Sequence, residues 1–526
     1  MTLETRERKQ GAPAVAKDGA LLFDGADWNF DILKRTYDEI ERIGTEELGL
    51  ALYRNQIEVI TAEQMLDAYA SVGMPLMYRH WSFGKHFAQQ ETYYRKGLRG
   101  LALEIVINSN PSICYIMEEN SMTMQATVMA HAAVGHNHFF RTNQVFQQWT
   151  DADAILDYLS FAKTFVARCE ERYGLKAVER VLDAAHALSS HGVDRYGRRE
   201  RPSIEKERKR VQQRIQEERE TFNDLWRTVP KPKPRTDGRD EETEVNLEAE
   251  RQALGLPEEN LLYFLEKNSP VLQSWERELL RIARNIASYF EPQRQTKVMN
   301  EGCACWCHYH IMNKLRERGQ ITEGAMLEFA HMHSSVISQP DFDDRRYPGI
   351  NPYALGFAMM QDIERICTEP TEEDREWFPD IAGNGEPVAT LRHAWANFRD
   401  ESFVLQYLSP KVMRDFHLFK IDDDKECPEI VIDAVHNERG YKRLRRSLAQ
   451  SYDPAVTEPR IEIVDVNLRG DRTLRLQHSV SNGQILDALE VRRVLRHFAS
   501  LWGYTVVLRE VDAESEKVFA EHEHRP

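Results

Sequence analysis

The sequence predicts an α+β protein: a large, mainly helical domain followed by a small C-terminal domain with a ββαββαβ-like order. Three observations carry this. Apolar residues recur at helical spacing through much of the chain from Trp28 to about residue 408. The last hundred residues instead offer short strand-like runs, HLFKIDD, EIVIDAVH, IEIVDVNL, TLRLQHS and YTVVLREV, with helices fitting at 440–452 and 483–500. Between 197 and 250 both periodicities fail.

Taken in order, residues 1–20 are polar, charged and expected to be a disordered tail. A helix is expected in WNFDILKRTYDEIERIGTEELGL (28–50), and another after Thr61, where TAEQ places Gln64 at the far end of a capping box. YRHWSFGKHF (78–87) reads as a loop or short helix. Its Arg79, His80, Trp81 and Lys85 form either a packed aromatic loop or an anion site. LALEIVINSNP (101–111) has the β-branched run of a buried strand, stopped at Asn110-Pro111. Helical segments follow at about 118–140 and 151–190, completing a first half over 21–196.

In 197–256 the charged run SIEKERKRVQQRIQEERETF suggests a solvated helix, which could also serve as a dimerisation arm. It leads into PKPKPRTDGRDEETE, where prolines at 230, 232 and 234 forbid helix and the remainder is too polar to fold. The second half of the helical domain is expected over 257–408, the α+β domain over 409–515, and a tail over 516–526. KRLRRS (442–447) reads as a solvated helix face.

Bulk composition narrows the function. A chain of 526 residues exceeds what one core serves, so two or more domains are expected. The net charge of −16 argues against nucleic acid and anionic membranes, since phosphate contacts need clustered Lys and Arg. No signal-peptide pattern opens the sequence, and no run of apolar residues is long enough for a membrane helix. Seven cysteines, sparse and odd in number, do not make a secreted disulfide framework, so a cytoplasmic location is expected.

The concentrated chemistry lies in two segments. EENSMTMQATVMAHAAVGHNHFFRTN (118–143) holds His131, His136 and His138 amid Met, Ala and Val. On an α-helix His131 and His138 share a face and His136 points elsewhere, unless Gly135 bends the segment. WERELLRIARNIASYFEPQRQTKVMNEGCACWCHYHIMNKL (275–315) holds Glu301 and His308, again seven apart on one face, with Cys305 on much the same side. Imidazole nitrogen and carboxylate oxygen are the usual ligands of zinc, iron or manganese. The candidate ligands are therefore His131, His136, His138, Glu301 and His308, with Glu119 or Glu278 as base or further ligand. The spacing is not HExxH, because Ala132 stands at the glutamate position, nor is it the ExxH of di-iron bundles. No nucleotide cofactor is expected. The competing reading makes these histidines hydrogen-bonded core residues. Cys303, Cys305 and Cys307 lack CxxC spacing and read as core thiols, with Cys305 near enough to join a metal site. His331 and His333 read as packing or capping residues.

Several segments carry a resemblance: NQIEVITAEQMLDAYASVGMP, HWSFGK, EIVINSNP, MEENSMTMQ, AHAAVGHNHFF, PQRQTKVMNEG and NPYALGFAMMQDIE. Together they resemble the stage V sporulation protein R (SpoVR) family, over residues 21 to 515. The resemblance implies a cytoplasmic bacterial protein tied to spore cortex formation and, in bacteria that never sporulate, to stress response. It implies two partners, a PrkA-type serine kinase and a von Willebrand-factor-like protein. Carried over by position, the family pattern comprises His131, Gly135, His136, Phe139, Phe140, Asn300, Glu301, Gly302 and His308. Between Gly302 and His308 this chain departs from the aromatic-rich run usual in the family and places three thiols there. The expected function is a metal-dependent, hydrolase-like enzyme. The alternative is a non-enzymatic regulator or scaffold acting with the kinase, the cluster being structural, and homo-oligomerisation fits either.

Overall fold

The computed structural model describes residues 2–4, 20–70, 74, 77–95, 104–194, 205, 208–210, 212, 254–422, 431–434, 437–467, 470–480 and 485–526. Most of the expected 1–20 tail and of the 197–256 linker lies outside the described residues. Two compact units emerge: residues 1–182 with 285–458, and residues 183–284 with 459–526. The α+β class holds, with a large helical unit and a small unit built on a sheet. Among the described residues no helix is long and apolar enough to cross a membrane.

The first unit opens with helix Phe30–Arg42, started by the Asn29 side chain accepting from the Ile32 N–H. Its Leu33, Tyr37 and Ile40 are buried. The expected capping box is present, Gln64 N–H bonding Thr61 Oγ1 while Thr61 N–H bonds Gln64 Oε1, and helix Ala62–Ala70 follows. The aromatic run at 78–87 opens a 15-residue helix, Trp81–Arg95, so it is more regular than a loop.

A four-stranded sheet backs these helices, with strands β1 (Thr2–Glu4), β2 (Asn55–Ile60), β3 (Glu104–Ile107) and β4 (Ser112–Met117) in the order β1-β2-β4-β3. β2 and β4 run parallel, and β3 runs antiparallel to β4. β3 is the strand expected before Asn110-Pro111. β4 is buried at every position, so it lacks the alternation that would have marked it.

Helix Lys297–Glu317 is the centre of this unit, its residues from Gly302 to His308 all buried. Two close approaches fix its neighbours. A Cβ on Gly302 would meet the backbone carbon of Gly356 at 2.6 Å, which lets helix Pro352–Thr368 press against it. A Cβ on Gly135 would meet Ala304 Cα at 2.5 Å. Asp400 caps the start of the helix, Oδ2 accepting from Val298 N–H at 2.8 Å and Oδ1 from Met299 N–H at 2.9 Å.

The second unit holds strands that number, after the pair β5 (Lys420–Asp422) and β6 (Val431–Ala434), as β7 (Arg460–Val466), β8 (Leu474–Val480), β9 (Val506–Asp512) and β10 (Val518–His524). The sheet order is β10-β9-β8-β7, with β8 and β9 parallel and the others antiparallel. Helix Ala488–Trp502 joins β8 to β9 and ends on Gly503 at φ 82, a left-handed conformation that glycine adopts without strain. Two details differ from expectation. β5 and β6 pair with each other and belong with helix Glu438–Ser451 to the first unit, so the expected strand order is divided. Val518–His524, expected within a tail, is a strand. Buried Glu510 ties it to the sheet, taking His522 Nε2 at 2.9 Å and His478 Nδ1 at 3.2 Å.

Candidate metal centre

The segment after β4 is where local geometry decides the site. Helix Met122–Val128 begins under the Ser121 cap, turns into a π-helix over Met129–His136, and resumes as α-helix at Asn137–Thr142. In a π-helix the bond runs i→i+5 and each residue advances roughly 80° instead of 100°. Residues five apart, His131 and His136, then share a face, while residues seven apart do not. Their rings stand edge to face with centroids 4.7 Å apart. His138 is turned away: its Nδ1 accepts from Ala51 N–H at 3.0 Å, and its ring meets Trp395. The expected pairing of His131 with His138 is therefore replaced by His131 with His136.

Gly135 allows this wall to lie directly on helix Lys297–Glu317, which presents Glu301, Cys305 and His308 at positions i, i+4 and i+7. Two remote stretches meet here. Glu301 Oε2 lies 3.5 Å from His136 Nε2 and 3.7 Å from His131 Nε2. Glu104, from β3, brings Oε1 to 3.8 Å from the same His131 nitrogen. His131, His136 and Glu301 offer ligand atoms that all lie within 4.8 Å of one another, as do His131, Cys305 and His308.

The hydrogen bonds around the cluster assign its lone pairs. His136 Nδ1 is 2.9 Å from Asn300 Oδ1, an acceptor, so Nδ1 carries the proton and Nε2 the lone pair. That lone pair faces the Glu301 oxygen at 3.5 Å, and Glu301 Oε2 is buried with no hydrogen-bond partner among the described residues. Two acceptors face each other across a gap too long for a hydrogen bond. Bonds of about 2 Å from a shared cation place neighbouring ligand atoms roughly 3 to 3.5 Å apart, a few tenths of an ångström inside the observed spacing.

On its other side His131 Nδ1 lies 3.0 Å from His308 Nδ1, and His308 Nε2 lies 2.7 Å from His333 Nδ1. Tyr353 stacks on His131 with rings 14° apart. Burial pushes His136 down to about 4, so its imidazole is neutral near pH 7. Burial, with His131 and His333 beside it, holds His308 well below the usual imidazole range. Burial opposes the His131 cation, but Cys305, Glu301 and Glu104 outweigh it and raise this ring well above the ordinary value. Burial likewise opposes the Glu301 anion, which the two histidines hold below the ordinary carboxylate value. Glu104 moves the other way, raised by burial.

His131, His136, Glu301 and His308 thus come together, and His138 does not join them. Glu119 is exposed in the turn after β4. Glu278 belongs to the second unit, in an ion pair with Arg281 at 2.7 Å. Sequence reasoning missed Glu104, whose one signal is a carboxylate inside the apolar run ALEIVI, and it set His333 aside as packing.

Fold and site define a class: a helical protein with a buried cluster of histidine and glutamate, supplied by a π-helix, a central helix and a sheet edge. The chain belongs to the SpoVR family. The family described as "SpoVR like protein" matches residues 27–457, and "SpoVR-like C-terminal domain" matches residues 459–513. The two matches meet where the second unit's sheet begins. The chain is 52% identical over 497 residues to "Uncharacterized protein YcgB" of Escherichia coli (strain K12), covering 94% of this chain and 95% of that protein. No solved structure matches.

Proposed function

We propose that the protein is a metal-dependent enzyme of hydrolytic type, holding one divalent cation between His131 Nε2, His136 Nε2 and the Glu301 carboxylate. The observation that carries this is the lone pair of His136 aimed at an unpartnered buried carboxylate oxygen. A buried carboxylate oxygen left without a hydrogen bond costs free energy, which a cation offsets. When bound, a cation of the zinc, iron or manganese class supplies Lewis acidity. The chain supplies the rest. Asn300 fixes the His136 tautomer, Tyr353 stacks on His131, and Glu104 stands beside the site as the proton acceptor. Burial raises its pKa and so makes it a stronger base than an ordinary carboxylate, and it replaces Glu119 and Glu278 in that role. The family's sporulation name suggests a cell-wall polymer as substrate.

A second reading has its own support. The raised basicity of His131 beside the lowered Glu301 fits a buried ion pair, the core of a regulator that would act with a serine kinase. Elemental analysis of the purified protein separates the two. The enzyme reading expects stoichiometric metal in the wild type and its loss in His136→Ala and in Glu301→Ala. A metal-free wild type that takes up no added ion ends that reading.

A further inference from the structure

The cluster has a second side that the proposed centre leaves unused. His131 turns Nε2 toward Glu301 and Glu104, and Nδ1 toward His308. Beside that second nitrogen stands His308, whose exposure is 3%, and the fully buried Cys305 thiol lies within ligand reach of both rings. One donor atom from each of His131, Cys305 and His308 lies within 4.8 Å of the others.

We infer that this sulfur-bearing side is a second metal site, in which His131, His308 and Cys305 hold a soft, thiophilic ion distinct from the one on the carboxylate side. The donor chemistry sorts the ions. One carboxylate and two imidazoles suit a harder divalent cation, whereas two imidazoles and one thiolate form the trigonal set that zinc and copper favour. His333 completes the arrangement. With a proton on His308 Nε2 donated to His333 Nδ1 at 2.7 Å, His308 Nδ1 is left with the lone pair that a ligand needs.

The proton balance is explicit. Filling the site releases the Cys305 thiol proton and the proton shared between His131 Nδ1 and His308 Nδ1, and both leave to solvent as the N–metal and S–metal bonds form. No redox change is involved.

The site shares His131 with the carboxylate-side centre but none of its other ligands, so the two readings fail separately. The test uses full-length protein, stripped by chelation under reducing conditions and titrated with cobalt(II). The wild type is expected to bind two cobalt ions per chain, one of them showing thiolate-to-cobalt charge-transfer absorption. Cys305→Ser should lose that absorption and one ion, while Cys303→Ser and Cys307→Ser keep both. Glu301→Gln should lose the other ion and keep the thiolate absorption. Absence of the absorption in the wild type, or its survival in Cys305→Ser, overturns the inference. X-ray absorption on the wild type gives a reading that needs no variant: a sulfur neighbour at about 2.3 Å is expected, and a purely nitrogen and oxygen shell refutes the site.

Discussion

Gly135→Ala puts the geometry of the centre at risk with a single methyl group. The position lies at the end of the π-helix with its backbone against helix Lys297–Glu317, where the added carbon would stand 2.5 Å from Ala304 Cα, 3.0 Å from Ala304 Cβ and 3.3 Å from Cys307 Cβ. None of these three atoms can rotate away, because the backbone fixes every Cα and Cβ. To reach ordinary contact near 3.5 to 4 Å, the two segments must part by about 1 Å. Overpacking of this kind costs about 1–3 kcal/mol. Helix propensity alone argues the reverse, since replacing glycine by alanine within a helix gains about 1 kcal/mol. The two lines of reasoning therefore differ in sign. For a unit spanning residues 1–182 and 285–458, with about 2.1 cal/mol/K of unfolding entropy per residue, about 1 kcal/mol moves the melting temperature by about 1 °C, so the variant should melt about 1–4 °C below the wild type. Because His131 and His136 move with the wall, metal uptake should weaken by at least about tenfold, in line with what roughly 1 Å of misplacement does to a preorganised site. Thermal melting monitored by circular dichroism, with a metal titration on the same sample, reads both effects. A variant that melts at or above the wild-type temperature and binds metal equally well would refute the reasoning.

Other expectations follow from the same contacts. His138→Ala should lower stability by about 1 kcal/mol through the lost Ala51 contact yet leave metal content unchanged, and metal loss in it would restore His138 to the ligand set. Glu104→Gln should slow any hydrolytic activity by about 100-fold or more while most bound metal remains, whereas Glu119→Gln and Glu278→Gln should leave both readings unaltered. Asp400 is pushed up to about 7 by burial, against the N–H donors of Val298, Met299 and Lys297. The folded chain therefore keeps a proton that the unfolded chain, with a carboxyl near 3.8, has given up. That contribution is full below about pH 4 and is lost as pH rises toward 7. Asp400→Asn should flatten the stability profile across that window, and melting curves at half-unit pH steps would expose a profile that does not change.

Much of the scaffold was legible in the residues. The Thr61–Gln64 box and the strand before Asn110-Pro111 are local signals, each written within a few positions, and local signals survive without tertiary knowledge. The shared face of Glu301, Cys305 and His308 was equally readable, because Lys297–Glu317 is an ordinary α-helix. Reading failed where the period changed. A rule of 100° per residue pairs His131 with His138, and only the π-helical hydrogen bonding, which composition does not announce, pairs it with His136 instead. β4 escaped because SICYIM is buried on both faces and shows no alternation. Glu104 escaped because its significance lies in what packs across from it, not in its neighbours along the chain. The strand at Val518–His524 looked like a charged tail, since what secures it is Glu510 on the adjacent strand.

The first unit is discontinuous, and its centre is divided across the interruption. His131 and His308 are 177 positions apart. At a synthesis rate of about 5–20 residues per second, the π-helix leaves the ribosome roughly 9 to 35 seconds before its partner helix can follow. Throughout that interval the imidazoles of His131 and His136 lack Glu301, and a cation at the proposed centre would find two of its three ligands. Assembly of the centre therefore reports that translation has passed the second segment. A chain stopped early could carry His131 and His136 and still lack Glu301, which completes the cluster.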